Sequence, residues 1–343
     1  MAAATVGVGV LPLALDSNTA TCPTGLVAAA VREVKPSGRL YVYCYPGGDA
    51  SPASMKQTMR FTTLTFDAVS RVAPCLDTRI LFASAGWDDD AVAALPFDAV
   101  FVSQPAVDAM MQRLSGFDAA RLHKVADAVA VTPLSDAVPP AATPRGALAT
   151  QGLRAGFLAL AAAVLGGPAP PYDTAVVAGT FDRLHAGHRL LLTLAALACT
   201  GTLYVGVTGD RLTARKHLTS LVQPLAERQA AVRAFMADSH PGLRVIVGEL
   251  TDPLRGIDGQ PPVDGLVVSR ETGANAVRLN LAKSVAWLLS LLFPPARNAL
   301  HAKLQGVRPY GLVIAELLPL HSREATKLSS TLLRQEEAEA KRN

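Results

Sequence analysis

The sequence has little charge, few cysteines and no long apolar run, and each shortage excludes a class of protein. Only 17% of the 343 residues are charged and the net charge is +4, too weak and dispersed for a nucleic-acid-binding surface. The four cysteines lie far apart without a CxxC pair, which argues against a zinc site or a disulfide framework and predicts reduced thiols. The longest apolar runs, at 156–167 and 285–293, are too short to cross a bilayer. Because the N-terminus lacks signal- or transit-peptide features, we expect a globular cytoplasmic protein without membrane insertion.

The second half of the chain alternates β-branched runs with helical patterns. Its pattern predicts strands at 174–179, 202–208, 243–249, 265–269 and 311–318, and helices near 187–199, 224–238, 273–292 and 329–341. Apolar strands separated by helices are typical of a parallel sheet covered on both faces. Such a sheet binds ligands at the carboxyl ends of its strands.

The first half contains runs that correspond, in order, to strands of the second half. The segments 39–47, 77–84, 97–104 and 128–134 match 202–210, 242–249, 263–270 and 312–320. We therefore predict an α/β protein with two Rossmann-like, doubly wound parallel-sheet domains, the first a degenerate copy of the second. The alternative is that two unrelated domains of this class share short Val- and Leu-rich strands by chance.

The predicted domains are 1–165 and 174–343, joined by a Pro- and Gly-rich linker at 166–173. In the first domain, 10–25 takes the place of the second domain's 176–188 but has no histidine. The segment 144–154 takes the place of 327–334 but lacks its paired hydroxyls. The first domain is therefore expected to be a non-catalytic packing or regulatory partner, and the second to be catalytic.

The segment 179–188, GTFDRLHAGH, has a composition that suits phosphate binding. Gly179 lets the backbone turn closely after a strand. A helix opens at 186–187, and its free N–H groups and dipole attract phosphate. His185 and His188, three residues apart at the helix start, can project to the same side and stabilise charge at an α-phosphorus.

This segment matches the HxGH signature of the nucleotidyltransferase superfamily. Its sequence resembles that of phosphopantetheine adenylyltransferase of the eukaryotic type, which is found as one part of coenzyme A synthase. Further matching motifs are GVTGDRL (206–212), LVQPLAER (221–228), VVSRET (267–272) and KLSSTLLR (327–334). The resemblance covers 174–334 and reaches the first half faintly, through LYVYCYPG and LDTRILF.

The resemblance implies a reaction of ATP with 4′-phosphopantetheine that gives dephospho-coenzyme A and pyrophosphate. The nucleophile is a phosphate oxygen that is already ionised at neutral pH, so the enzyme must align the reactants and stabilise charge rather than act as a general base. Mg²⁺ is implied because it neutralises the triphosphate, although no residues form a dedicated cage for it. The chain has no P-loop, so a separate dephospho-coenzyme A kinase is expected.

The resemblance assigns catalytic roles to four residues. Thr180 hydrogen-bonds the incoming phosphate, His188 stabilises the transition state at the α-phosphate, and His185 assists with the ATP phosphates. Lys216, adjacent to Arg215, is our choice for the phosphate-binding lysine. A solvated loop charge is the alternative for Lys216.

The resemblance also implies two binding sets. The ATP-binding residues are Gly179, Thr180, Phe181, His188, Arg270, Glu271, Ser329, Ser330 and Thr331. The phosphopantetheine-binding residues are Thr180, Lys216 and Arg228. One hydroxyl of 329–331 could simply cap the following helix, and the others are expected to bind β- and γ-phosphates. Arg228 could instead be a salt-bridged surface residue.

Two other functions remain open from the sequence. A cytidylyltransferase acting on a phosphorylated alcohol shares GTFD and HxGH, but carries an RTEGIST-like segment where this chain has TKLSST. A non-catalytic nucleotide or coenzyme A sensor would be expected to lose a catalytic histidine, and both histidines are present.

Overall fold

The computed structural model describes residues 5–47, 51–103, 122–124, 131–134, 170–214, 218–252, 256–257, 261, 263–292, 309–315 and 329–340. The strands in these ranges are β1 (Val6–Ala14), β2 (Thr21–Cys22), β3 (Val34–Tyr45), β4 (Asp77–Phe82), β5 (Ala99–Val102), β6 (Leu122–Lys124), β7 (Thr132–Pro133), β8 (Tyr172–Gly179), β9 (Cys199–Thr208), β10 (Arg244–Asp252), β11 (Gly256–Ile257), β12 (Gly265–Ser269) and β13 (Gly311–Ala315). The helices are α1 (Thr24–Glu33), α2 (Met55–Val72), α3 (Asp89–Ala93), α4 (Ala186–Leu197), α5 (Asp210–Thr213), α6 (Leu225–Ser239), α7 (Arg270–Leu292) and α8 (Ser330–Ala340).

The described strands form two main sheets. The first has the order β4-β3-β1-β5-β6 and is parallel throughout. The second has the order β11-β10-β9-β8-β12-β13, parallel except for β11 at its edge. A small antiparallel pair, β2 with β7, stands apart. The predicted fold class, α/β with two parallel sheets, is confirmed.

Helices cover both faces of the first sheet because its strands are apolar on both sides. Val27 of α1 and Phe61 of α2 pack into one core cluster with Leu11 of β1. Val92 of α3 packs on the opposite face with Val10. That arrangement is the doubly wound architecture.

The central strands β1 and β8 pair with their neighbours at equivalent positions. Gly9 of β1 pairs with Leu40 and with Ala99, and Ala175 of β8 pairs with Leu203 and with Gly265. Gly9 and Ala99 each lie 166 positions before their counterparts Ala175 and Gly265. Equivalent strands therefore occupy equivalent places in both halves.

The same contact between an aspartate and a strand backbone occurs in both halves, again 166 positions apart. Asp98 accepts the N–H of Val8 at 2.8 Å, and Asp264 accepts the N–H of Thr174 at 3.1 Å. In the return direction, the Asp98 N–H donates to the carbonyl of Val8 and the Asp264 N–H to that of Thr174. A polar detail of this kind does not follow from sharing apolar strands, so it supports duplication over chance resemblance.

Two of the predicted correspondences need correction. The strand beside β5 is β6, at 122–124, and not 128–134, where 132–133 instead forms β7 against β2. In the sheet, Leu40 faces Thr78 while Leu203 faces Val245, so the match of 77–84 to 242–249 shifts by two residues. Pairing between strands decides both points, and the local sequence does not encode it.

The two halves are packed together. Helix α2 lies against α4, and a single core cluster contains Phe66 of α2, Leu190 of α4 and Val177 of β8. Strand β8 begins at Tyr172, inside the predicted linker, and 166–169 lies outside the described residues, as does 144–154. The predicted domain boundaries therefore stay predictions.

Two further sequence expectations concern disulfides and membrane-spanning helices. None of the four cysteines, all of which lie in described ranges, forms a disulfide. Within the part of the chain that the structure describes, no helix has the length and apolarity that a membrane crossing requires.

Candidate active site

The carboxyl ends of the second sheet converge around β8. From β8 the chain moves outward to β9 and β10, and it later returns to the other side of β8 as β12. This reversal creates a crevice at the ends of the strands, where open α/β sheets bind ligands. Gly179, Thr208 and Ser269 end the three neighbouring strands at this edge.

The turn after β8 has an unusual backbone. Phe181 and Arg183 have φ values of 49° and 47°, a left-handed conformation that costs free energy in residues other than glycine. The ring of Phe181 is fully buried and folds back over Gly179, where a Cβ atom would lie 3.2 Å from the ring. A side chain at 179 would therefore require the buried Phe181 ring to shift.

Asp182 is the centre of the turn. Its carboxylate is fully buried and accepts bonds from Nη1 of Arg334 at 2.5 Å, Nη1 of Arg183 at 3.1 Å and the N–H of Gln223 at 3.0 Å. A buried carboxylate needs such partners, because burying a charge alone is costly. The contacts connect the turn to α8 and to the segment that leads into α6.

Arg183 and Ser330 add two more connections to α8. The Arg183 guanidinium pairs with Glu337 and also donates to the carbonyl of Leu221 at 2.8 Å. The Ser330 hydroxyl donates to the carbonyl of Asp182 at 2.9 Å. The start of α8 is therefore held against the turn after β8.

Arg228 connects the ends of β8 and β9. Its Nη1 donates to the carbonyls of Thr180 at 2.9 Å and Thr208 at 2.8 Å, and its Nε donates to the carbonyl of Gln223 at 2.8 Å. Burial lowers the pKa of Arg228, although nearby carboxylates oppose the shift. Since the side chain is fully buried, the structure gives Arg228 a positioning role, and its contact with phosphopantetheine stays a prediction.

His185 and His188 are brought together at the start of α4. Their rings stack with centroids 3.9 Å apart and planes 23° apart, and the His188 ring lies 5.4 Å from that of Phe181. His185 is the N-cap of α4, and its Nδ1 accepts the Gly187 N–H at 3.2 Å. An accepting Nδ1 leaves the proton of the neutral ring on Nε2, as a donor.

The N–H groups at the start of α4 differ from the expectation. The sequence predicted them to be free for phosphate, but the Ala186 N–H donates to the carbonyl of Pro74 at 2.8 Å. The Gly187 N–H is taken by His185. Both donors therefore already have acceptors within the protein.

The three hydroxyls at the start of α8 each have a protein partner. Ser329 accepts the Leu332 N–H at 3.3 Å as a helix cap, and Thr331 accepts Nη2 of Arg334 at 3.0 Å. Ser330 is the donor to Asp182. Hydroxyl oxygens can bind more than one group, so phosphate binding by these residues stays a prediction.

The remaining predicted residues are less fully described. Arg270 is exposed at the first position of α7, next to the end of β12. Glu271 follows in the same helix, but its side chain lies outside the described set, as do Lys216 and its neighbour Arg215.

A family model described as cytidylyltransferase-like matches residues 176–336. A phosphopantetheine adenylyltransferase of Methanopyrus kandleri is 36% identical over 113 residues, which cover 33% of this chain and 71% of that protein. The chain belongs to the cytidylyltransferase-like nucleotidyltransferases. The resemblance seen in the sequence is thereby confirmed.

Two fungal proteins are also similar to this nucleotidyltransferase. A phosphopantetheine adenylyltransferase of Saccharomyces cerevisiae is 32% identical over 109 residues, covering 32% of this chain and 36% of that protein. An uncharacterized protein of Schizosaccharomyces pombe is 30% identical over 167 residues, covering 47% and 46% of the two chains. The chain therefore spans less than half the length of either fungal relative.

Sequence reasoning missed the residues that hold this nucleotidyltransferase site together: Asp182, Arg183, Gln223, Arg334 and Glu337. Four of them lie inside motifs that were already recognised, at 179–188, 221–228 and 327–334. A usable signal was present, because an acid and two arginines stand inside these motifs. What the sequence lacked was the information that these charges meet.

Proposed function

We propose that this nucleotidyltransferase transfers the adenylyl group of ATP to 4′-phosphopantetheine, giving dephospho-coenzyme A and pyrophosphate. The proposal is carried by the stacked His185–His188 pair, which lies beside the strained turn at the carboxyl end of β8. Similarity to proteins of yeast and archaea that are named phosphopantetheine adenylyltransferase supports this choice of substrates.

In the proposed reaction, a phosphate oxygen of 4′-phosphopantetheine attacks the α-phosphorus of ATP. The new P–O bond forms as the bond between the α-phosphorus and the α,β-bridging oxygen breaks, and pyrophosphate leaves with that electron pair. Because the nucleophile is already ionised, no side chain has to remove a proton. The protein's contribution is alignment and positive or hydrogen-bonding groups at the developing charge.

His188 is proposed to donate to the α-phosphate in the transition state, and His185 to assist through Nε2. Thr180, at the end of β8, is proposed to bind the incoming phosphate. Lys216 is proposed to bind phosphate, including that of 4′-phosphopantetheine, and Arg270 and Glu271 are proposed to contact the nucleotide. The hydroxyls of 329–331 are proposed to bind the β- and γ-phosphates of ATP. The rigid turn around Asp182 supports this division of roles, since it keeps Thr180 and α8 at fixed positions.

Mg²⁺ is proposed to arrive with ATP as part of the substrate. Among the described residues, no three His, Cys, Asp or Glu side chains are grouped so that they could hold a metal ion. The nearby carboxylates of Asp182 and Glu337 are paired with arginines. These residues do not fit a resident metal site, and no step is assigned to one. The cytoplasmic location and the separate dephospho-coenzyme A kinase stay predictions.

The test is pyrophosphate release from MgATP with 4′-phosphopantetheine, beside MgCTP with phosphocholine or glycerol 3-phosphate. We expect release only in the first pair. Release only in the second pair would make the protein a cytidylyltransferase. Absence of release in both, with retained nucleotide binding, would favour the sensor.

A further inference from the structure

The first half of the chain contacts the start of α4, where the two histidines lie. Residues 74–77, which join α2 to β4, lie against the first turn of α4 (we call them the 74–77 segment). The Ala186 N–H donates to the carbonyl of Pro74 at 2.8 Å. This N–H belongs to the first residue of α4, where no carbonyl of the helix itself can accept it.

A second set of bonds lies almost one turn further along α4. Arg189, the residue after His188, is 7% exposed and donates from Nη1 to the carbonyl of Leu76 at 3.1 Å. Its Nη2 pairs with Asp77 at 3.3 Å. Successive residues of a helix point about 100° apart, so Arg189 can hold the first half while His188 points in another direction, towards His185 and Phe181.

The 74–77 segment is itself rigid. The Leu76 N–H donates to the carbonyl of Ala73 at 3.1 Å, and the Thr78 N–H donates to the carbonyl of Leu76 at 2.8 Å. The Leu76 side chain is buried, and Asp77 begins β4. The acceptors for α4 are therefore fixed by a turn and a strand rather than by a loose loop.

The charge of Asp77 is shared among three arginines. Besides Arg189, it pairs with Arg39 at 2.7 Å and with Arg79 at 3.2 Å. Burial would raise the pKa of Asp77, but the charges of Arg189, Arg79 and Arg39 outweigh burial and lower it. The carboxylate is therefore ionised at neutral pH and remains a strong acceptor for Arg189.

A second contact between the halves lies away from α4. Nε1 of Trp87 donates to the carbonyl of Ser239, the last residue of α6, at 3.2 Å. Arg79 also pairs with Asp238 near the end of the same helix. The Trp87 bond holds the halves together and involves neither α4 nor Asp77, so it provides an internal control. Arg79 does not, because it also pairs with Asp77.

We infer that the 74–77 segment is a positioning element for the catalytic site: the first half sets the place of His185 and His188 by holding Ala186 and Arg189 of α4. This inference rests on the proposed function in so far as His188 acts on the α-phosphate. A helix that is free to move by about 1 Å would cost about 100-fold in rate. The degenerate half thereby contributes to the reaction without contributing a reacting group.

The test compares Arg189→Gln, Arg189→Lys and Trp87→Phe in the full chain. Arg189→Gln removes the charge, Arg189→Lys keeps it but loses the fork that reaches both Leu76 and Asp77, and Trp87→Phe breaks only the contact to α6. We measure kcat, the KM for ATP, thermal unfolding, and the ring resonances of histidines labelled with ¹³C, with His188 assigned by His188→Gln.

For Arg189→Gln we expect kcat to fall about 100-fold while the KM for ATP changes less than about threefold, with a shifted His188 resonance. Arg189→Lys should fold and lose about tenfold in kcat, and Trp87→Phe should keep the wild-type kcat and resonance. A wild-type kcat and His188 resonance in Arg189→Lys would overturn the inference. So would an equal loss of kcat in Trp87→Phe, since that would be a general effect of loosening the halves.

The histidine resonances separate this inference from the proposed substrates. If the wild-type protein does not transfer an adenylyl group to 4′-phosphopantetheine, the proposed function fails. The positioning inference is then decided by whether Arg189→Lys, but not Trp87→Phe, shifts the His188 resonance.

Discussion

The two halves of the chain carry an aspartate at the same place and use it differently. Asp16 follows β1 and lies 166 positions before Asp182, which follows β8, the same separation that relates Gly9 to Ala175. Asp16 accepts the N–H of Asn18 at 2.8 Å within its own turn and the N–H of Gly47 at 3.0 Å after β3, so both partners are backbone groups. Asp182 instead binds two arginine side chains, those of adjacent Arg183 and of Arg334 in α8, besides the N–H of Gln223. The same fold position holds backbone groups in one half and pairs with charged side chains of the site in the other.

The segments that follow the two aspartates also differ in structure. In the second half, His185–His188 lead into α4. In the first half the positions equivalent to Gly187 and His188 are Thr21 and Cys22, which form β2 against β7, and α1 begins only at Thr24. The two halves therefore share the arrangement of their strands but differ in the loop that follows the first one. Function commonly lies in loops placed on a shared scaffold.

The largest effect is expected from the histidine itself. His188→Ala should lower the rate of adenylyl transfer by about 10³-fold, because it removes a donor at the charge that develops in the transition state. The matched control is Cys22→Ala, at the equivalent place in the first half, which should leave the rate unchanged. Initial rates of pyrophosphate release measure both, and normal turnover in His188→Ala would contradict the mechanism.

The paired aspartates should differ in stability. Asp182→Asn leaves buried Arg334 without its charged partner and should lower the free energy of unfolding by about 3–5 kcal/mol. Asp16→Asn keeps one of the two oxygens that accept backbone N–H groups and strands no buried arginine, so a loss of about 1 kcal/mol is expected. Urea unfolding measures both, and equal losses would show that the two turns are not built differently.

Between pH 6.5 and 4, a pH dependence of stability is expected from His240 in the second half. His240, at the C-terminus of α6, is 4% exposed, and burial lowers its pKa to about 4. Its counterpart at the end of α2 is Ala73, whose N–H likewise bonds the last turn of its helix. Below about pH 6.5 the unfolded chain takes up a proton at His240 that the folded chain refuses, so stability is lost as the pH falls from 6.5 towards 4.

That loss should amount to about 3 kcal/mol, since each unit of pKa shift corresponds to about 1.4 kcal/mol. His240→Leu should flatten the dependence between pH 6.5 and 4. Unfolding free energies measured across this range provide the check. An unchanged slope in His240→Leu would assign the pH dependence to other groups.

The smallest effects are expected at two helix caps. Ser54 caps α2 in a reciprocal arrangement with Gln57, and Ser329 caps α8. Replacing either serine by alanine should lower the free energy of unfolding by about 1 kcal/mol. Only Ser329→Ala should also raise the KM for ATP, because only α8 adjoins the crevice. A raised KM in Ser54→Ala would mean that the caps act on the site through stability alone.

Much of the second sheet could be predicted because its apolar, β-branched runs are bounded by turn residues. The strand predicted at 265–269 has these bounds in the structure, and that predicted at 174–179 begins two residues earlier. The pairing of β6 could not be predicted, since Leu122–Lys124 is short and polar while the run at 128–134 looks more like a strand.

The site was predictable where it is local and not where it depends on long-range contacts. The closeness of His185 and His188 follows from helical spacing. The burial of Arg228 depends on carbonyls from two strands, and the bond from Ala186 depends on the carbonyl of Pro74. A backbone carbonyl can come from any residue, so such partners leave no signature in the sequence.

The most direct test of the central claim is to identify the product formed from MgATP and 4′-phosphopantetheine by mass spectrometry, with the wild-type protein beside His188→Ala and Cys22→Ala. The account predicts dephospho-coenzyme A, in equal amount with pyrophosphate, from the wild type and Cys22→Ala, and its formation about 10³-fold more slowly by His188→Ala. Absence of this product from the wild type, or its formation by His188→Ala at the wild-type rate, would contradict the account.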